Sequence, residues 1–139
     1  MNKHAKKAEE FYKKKDYRTA VDFYTKAIEE DDSTSDLFAE RAMSFYHLKE
    51  LDNCIEDMNA AQQLEPNNPY RYSSRAFVKN QNGDVDGAID DYQKAVHLDP
   101  EDAIAYNNLG LVLEAKGYME QAKQSFDKSD KLIGRETRQ

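Results

Sequence analysis

The sequence predicts an all-α repeat fold of eight helices, arranged as four helix-turn-helix units. Three observations carry that prediction. The chain falls onto itself without gaps when slid by 34 residues. Small side chains recur in fixed columns of that register. Gly and Pro number only five and three in 139 residues, too few for the turns of a sandwich or barrel.

The columns are explicit. Ala8, Ala42, Ala76 and Gly110 share one; Ala20, Cys54, Ala88 and Ala122 share another. Tyr24, Met58, Tyr92 and Phe126 form a third, and Ala27, Ala61, Ala95 and Ser129 a fourth. The units are 1–34, 35–68, 69–102 and 103–136, a single domain over 1–136 with a short tail, 137–139. Each unit reads as a first helix (2–14, 36–48, 70–82, 104–116) and a second (18–30, 52–64, 86–98, 120–132). The turns "KKD", "LKE", "NGD" and "KGY" join each pair as antiparallel neighbours. In "PNNPYRY", Pro66 ends a helix, Asn68 offers a side-chain cap, and Pro69 takes a first-turn place where its missing N–H costs nothing.

Small columns mark where the two backbones of a pair approach, Ala8 against Ala20 or Gly110 against Ala122. A larger side chain there would overpack the contact, costing ~1–3 kcal/mol. Cys54 holds one of these places, so it reads as a buried small hydrophobe rather than a nucleophile.

Composition narrows function. A net charge of −7 disfavours a nucleic-acid backbone as partner, and no run approaches the ~20 apolar residues that span a bilayer. Residues 1–18 carry seven Lys/Arg against three acids, +4, leaving −11 on the rest. A solvated basic helix accounts for this, with an end that docks an acidic surface or anionic membrane as the alternative. One cysteine and no apolar leader in "MNKHAKKAEE" point to the cytoplasm.

"NGDVDGAIDDYQ", residues 82–93, has the order of a calcium loop: Asn82, Asp84 and Asp86, then Gly87, Ile89 and Asp90. The repeat supplies a rival account. Asn82, Gly83 and Asp84 form the intra-hairpin turn, Asp86 begins the next helix, and Ala88, Ile89 and Tyr92 fall in apolar columns. Gln93 also stands where a bidentate acid is needed. The turn is preferred, and no metal is expected. His4, His47 and His97 lie in separate units without metal-ligand spacing. No Ser-His, Cys-His or paired-carboxylate grouping marks a catalytic residue, and no cofactor is expected.

With "AVDFYTKAIEEDD", "AIDDYQKAVHLDP" and "AYNNLGLVLEAKGYMEQA", the period and the small–aromatic–small columns resemble tetratricopeptide repeats. That resemblance implies a right-handed α-solenoid whose first helices line a concave groove. Carried over by position, the groove takes Ala5, Glu9, Tyr12 and Lys13, then Asp36, Ala39, Met43, Tyr46 and His47. Tyr70, Ser73, Phe77, Asn80 and Gln81 follow, then Ile104, Asn107, Leu111 and Glu114. Tyr12, Met43, Tyr46, Tyr70, Phe77, Ile104 and Leu111 make an apolar stripe suited to an extended peptide or partner helix. Members that clamp a chaperone's C-terminal carboxylate use Lys, Asn, Asn, Lys and Arg. The matching positions here are Ala5, Glu9, Glu40, Tyr70 and Ser74, so that subclass is disfavoured. Lys6, Arg71 and Arg75 lie one residue away, about 100° round the helix.

Both ends read as solvated, with His4 and Lys7 at one and Lys123 and Asp130 at the other. Phe126, Leu132 and Ile133 remain as exposed apolar groups through which a homodimer could form. Lys79 stands where other units hold Phe11, Phe45 and Leu113. Its methylenes are expected to cover apolar surface while its ammonium reaches water, or its ammonium to meet a ligand acid. The function expected is a non-catalytic module binding a protein or peptide, with a self-assembling scaffold as the alternative.

Overall fold

A computed structural model of the chain describes residues 2–30 and 34–138, apart from the side chains of 135–138. The described residues form eight α-helices and no strand. They are α1 (Lys3–Lys13), α2 (Tyr17–Glu29), α3 (Ser35–His47), α4 (Leu51–Leu64), α5 (Pro69–Gln81), α6 (Val85–Leu98), α7 (Ala103–Lys116) and α8 (Met119–Arg138).

Most helices start one residue earlier than the periodicity predicts, and the caps explain it. Asp16, Thr34, Asp84 and Asp102 each accept a backbone N–H from the first turn of α2, α3, α6 and α7. Asn68 accepts from Tyr70 N with Pro69 at the first position of α5. At the first helix the shift is the other way, because Asn2 itself is the cap and accepts from His4 N at 2.7 Å. The last helix runs on through Arg138, so residues 137 and 138 of the expected tail continue α8, and Gln139 lies outside the described residues.

The turn inside every pair shows the same backbone device. Lys15, Lys49, Gly83 and Gly117, spaced by 34, all have positive φ, from 62° to 90°. Each following N–H reaches back across the turn: Asp16 to Phe11 O, Glu50 to Phe45 O, Asp84 to Lys79 O and Tyr118 to Leu113 O, at 2.8–2.9 Å. These bonds satisfy carbonyls that a helix end leaves orphaned, and they need a left-handed residue. Gly adopts that conformation freely; lysine does so at a cost of about 1 kcal/mol. Lys49→Gly is expected to stabilise the protein by about 0.5 kcal/mol, net of glycine's added freedom when unfolded. A lowered urea midpoint would count against this account of the turn.

By contacts the chain divides into two compact units, Met1–Pro66 with α1–α4 and Asn67–Gln139 with α5–α8. Within the first, α1 packs on α2, α2 on α3 and α3 on α4; within the second, α5 to α8 follow the same order. The small columns are where the pairs close: Ala8, Ala20, Ala42, Cys54, Ala76 and Ala88 are wholly buried. In the fourth repeat the close approach takes a different form. A Cβ on Gly110 would lie 2.6 Å from Phe126 Cε1, so the Phe126 ring lies over that glycine. Phe126 is therefore half-buried and packs on the second unit's core, and Leu132 is buried at 3% exposure. Both were expected to stand exposed; of the three groups only Ile133 does.

Polar ties cross each hairpin. Arg41 donates from Nε and Nη2 to the two oxygens of Asp57, at 2.8 and 2.7 Å, and from Nη1 to Thr25 Oγ1. One repeat later, Arg75 donates to both oxygens of Asp91 at 2.7 Å. Lys79 joins that pair, its Nζ 3.1 Å from Asp91 Oδ2. This corrects both expectations for Lys79, whose ammonium completes a buried ion network rather than reaching into water or toward a ligand. Ser35 donates to Ala61 O in the first unit and Ser129 to Ala103 O in the second. At the first end His4 is half-buried, stacked on Phe23 with its Nδ1 3.0 Å from Glu30 Oε1, rather than solvated.

Candidate functional site

The faces of α1, α3, α5 and α7 carry the residues predicted to bind. One column decides most of the question: Glu9, Met43, Phe77 and Leu111, spaced by 34. Met43, Phe77 and Leu111 are 37%, 46% and 50% exposed. Core columns of the same helices are wholly buried, so the exposure follows register rather than general looseness. A second column repeats the pattern, with Tyr70 and Ile104 at 65% and 74%.

In the first unit, Glu9, Tyr12, Lys13 and Met43 surround one hollow of about 220 Å³, together with Tyr24 and Glu40. The Tyr24 hydroxyl bonds to Glu40, and burial first, then the Glu40 and Glu9 charges, push its pKa well above the usual phenol range. Tyr12 is raised too, by burial and then by Tyr17 and Glu40. An aromatic group sits beside the hollow. Tyr12 approaches Tyr17 edge-on, its hydroxyl 3.2 Å from His47 Nε2, and Tyr17 stacks on His47 with ring centres 4.3 Å apart. Tyr46 meets His47 edge-on. Ala5, placed in the groove by resemblance, is instead buried in the core.

In the second unit, Tyr70, Ile104 and Asn107 open onto a hollow of about 470 Å³ that also meets Ile133, Ser129 and the acids Asp99, Glu101, Asp102 and Asp130. Asn80, Gln81 and Glu114 are exposed on α5 and α7 outside it, as are Phe77 and Leu111. Sequence reasoning missed Tyr24, Tyr17 and the acid rim. Tyr24 belongs to a core column, and nothing in the period shows that its hydroxyl end reaches a surface hollow.

The calcium-like stretch is a turn and a helix. Gly83 is left-handed, Asp84 rather than Asp86 is the cap, accepting from Gly87 N at 2.9 Å, and residues 85–98 are helical. A straight helix cannot wrap these oxygens round an ion. Among the described residues no group of three or more His, Cys, Asp or Glu could hold a metal, and no helix is long and apolar enough to cross a membrane.

Helix pairs of constant register, with a buried small column and an exposed apolar one, define an all-α helical-repeat protein. Residues 78–117 match the family described as "TPR repeat" and residues 103–134 the one described as "Tetratricopeptide repeat". Over residues 78–134 the chain therefore matches tetratricopeptide-repeat models. No curated protein sequence matches it. Among solved structures it is similar to MamA, 20% identical, with a TM-score of 0.91 over 98% of this chain and 80% of that one. YrrB, titled a TPR protein with an unusual peptide-binding site, is 22% identical, TM-score 0.80, over 90% of this chain and 64% of that one. The first TPR of Spaghetti (RPAP3), bound to an HSP90 peptide, is 26% identical, TM-score 0.75, over 82% and 90%.

Proposed function

We propose that the chain is a non-catalytic interaction module that holds a segment of a partner polypeptide on the first-helix faces of its repeats. The observation that carries this is the exposed apolar column Met43, Phe77 and Leu111, which recurs beside the buried core columns of the same helices. YrrB and the first TPR of Spaghetti are precedents for peptide binding on this fold. In the same proposal the four repeats act as one domain over 1–136, and the lone buried cysteine suits a cytoplasmic protein.

The acidic chaperone tail is not the proposed partner. Glu9 and Glu40 stand at two clamp positions and would repel a carboxylate. Arg75, the nearest substitute, is held by Asp91. Self-association is the second reading. With Leu132 buried and Phe126 packed on the core, it would rest on Ile133 and the same exposed column.

The test is selection of a binding peptide from a displayed random library, with affinity read by fluorescence anisotropy. Phe77→Ala combined with Leu111→Ala is expected to weaken binding about tenfold or more, the scale of a lost interface anchor, with the helical circular-dichroism signal unchanged. Selected peptides that ignore both substitutions would refute the proposal. Light scattering across a concentration series checks the second reading, which a constant monomer mass excludes.

A further inference from the structure

The hollow of the first unit is smaller and more selective than a general apolar groove. Its volume, about 220 Å³, lies below the ~300 Å³ at which small-molecule sites begin, so it suits one side chain. Its walls are two aromatic rings and a thioether, from Tyr12, Tyr24 and Met43, and its acids are Glu9 and Glu40. Both acids are half-buried. Glu40 is held in place by the Tyr24 hydroxyl, while among the described residues Glu9 makes no ion pair.

Aromatic faces attract cations through their quadrupole, and partly desolvated carboxylates take charge-assisted hydrogen bonds. An anionic side chain gains neither, and a neutral polar one gains hydrogen bonds without the attraction to the rings or the charge pairing. Lys13, exposed, is the cation among the residues that line it. The walls are already set. Tyr24 is 2% exposed, and Tyr12 is braced by Tyr17 and His47. Little side-chain freedom remains to be lost when something enters.

We infer that this hollow between α1 and α3 receives one lysine or arginine side chain of the bound polypeptide, its stem along Tyr12 and Met43 and its charge between Glu9 and Glu40. The inference rests on the interaction-module reading and adds the chemistry of the partner, a segment carrying a cationic anchor.

The experiment follows the ¹³C-methyl signal of Met43 in the full chain, assigned with Met43→Leu, during titration with short alanine peptides. The peptides carry a central arginine, lysine, citrulline, norleucine or glutamate. Arginine and lysine peptides are expected to shift the signal saturably, with citrulline and norleucine about tenfold weaker and glutamate silent. Glu9→Gln and Glu40→Gln, which keep shape and leave Glu40's acceptor for Tyr24, should each remove most of the preference. Equal shifts from arginine and citrulline, or a shift from glutamate, would overturn the inference. So would silence from every peptide. In that case Phe77-dependent binding of a selected peptide would leave the module reading standing, and its absence as well would remove both.

Discussion

Replacing Asp91 with Ala is expected to destabilise the protein by about 3–5 kcal/mol, the cost of stripping one partner from a buried ion pair. Asp91 is 5% exposed, and its two oxygens are taken by Arg75 Nε and Nη2 at 2.7 Å and by Lys79 Nζ at 3.1 Å. Without the carboxylate, two cations face each other between α5 and α6. The Lys79 side chain, 21% exposed, can swing outward more easily than that of Arg75 at 12%. Asp57→Ala in the first unit should cost less. There Phe45 replaces the second cation. The fourth repeat suggests the rescue: its residues at these register positions are Leu109, Leu113 and Ser125. Arg75→Leu, Lys79→Leu and Asp91→Ser together should recover most of the loss, because a well-packed apolar replacement of a buried ion group is often neutral or stabilising. Urea denaturation of the single and combined variants measures this. A loss below about 1 kcal/mol for Asp91→Ala would mean the network behaves like an exposed surface pair.

The same network shows what periodicity reveals and what it hides. The fold was legible because close helix pairing demands small residues at fixed places, and Ala8, Ala20, Cys54 and Gly110 announce it at a 34-residue spacing. All four turns were legible from the period, but their left-handed backbone was signalled only at Gly83 and Gly117 and not at Lys15 and Lys49, where tertiary structure holds lysine in a glycine conformation. Arg41 with Asp57 and Arg75 with Asp91 are each 16 residues apart across a hairpin, a separation that no single-helix rule connects. Their repetition one period apart was the available signal. The run of α8 through Arg138 had no signal, since "RETRQ" continues no apolar period. For the candidate site, Met43, Phe77 and Leu111 were placed by the family resemblance, and they stand exposed. The part of the first hollow built by Tyr24 and Glu40 was not, because Tyr24 serves the core with its ring and the surface with its hydroxyl.

Alkaline pH should destabilise this protein in part through two buried acids that have small or apolar counterparts in other repeats. Burial, with a smaller push from the Asp57 charge, moves the Cys54 thiol from 9.0 up to about 12, and burial moves the Tyr92 phenol from 10.0 up to about 12. Both are nearly or wholly inaccessible, at 0% and 3% exposure. The sign follows from proton binding. Below about pH 9 both groups are protonated whether folded or unfolded, and their contribution is fully present. Above it the unfolded chain loses the Cys54 proton first and the Tyr92 proton from about pH 10, while the folded protein keeps both until about pH 12. Stability therefore falls between about pH 9 and 12, by about 1.4 kcal/mol per group for each pH unit past its unfolded value. At pH 11 the two together reach on the order of 4 kcal/mol, a large share of the ~5–15 kcal/mol that holds a typical domain folded. The repeat provides matched replacements, since Ala fills the Cys54 column in the other three units and Phe126 the Tyr92 column in the fourth. Cys54→Ala with Tyr92→Phe should change the urea midpoint little at pH 8 and should lose less stability than the parent chain at pH 11, the buried Tyr24 phenol remaining in both. Deprotonation of surface lysines acts equally on both proteins and drops out of the difference. Parallel decline of parent and variant from pH 8 to 11 would show that neither buried proton governs the alkaline limit.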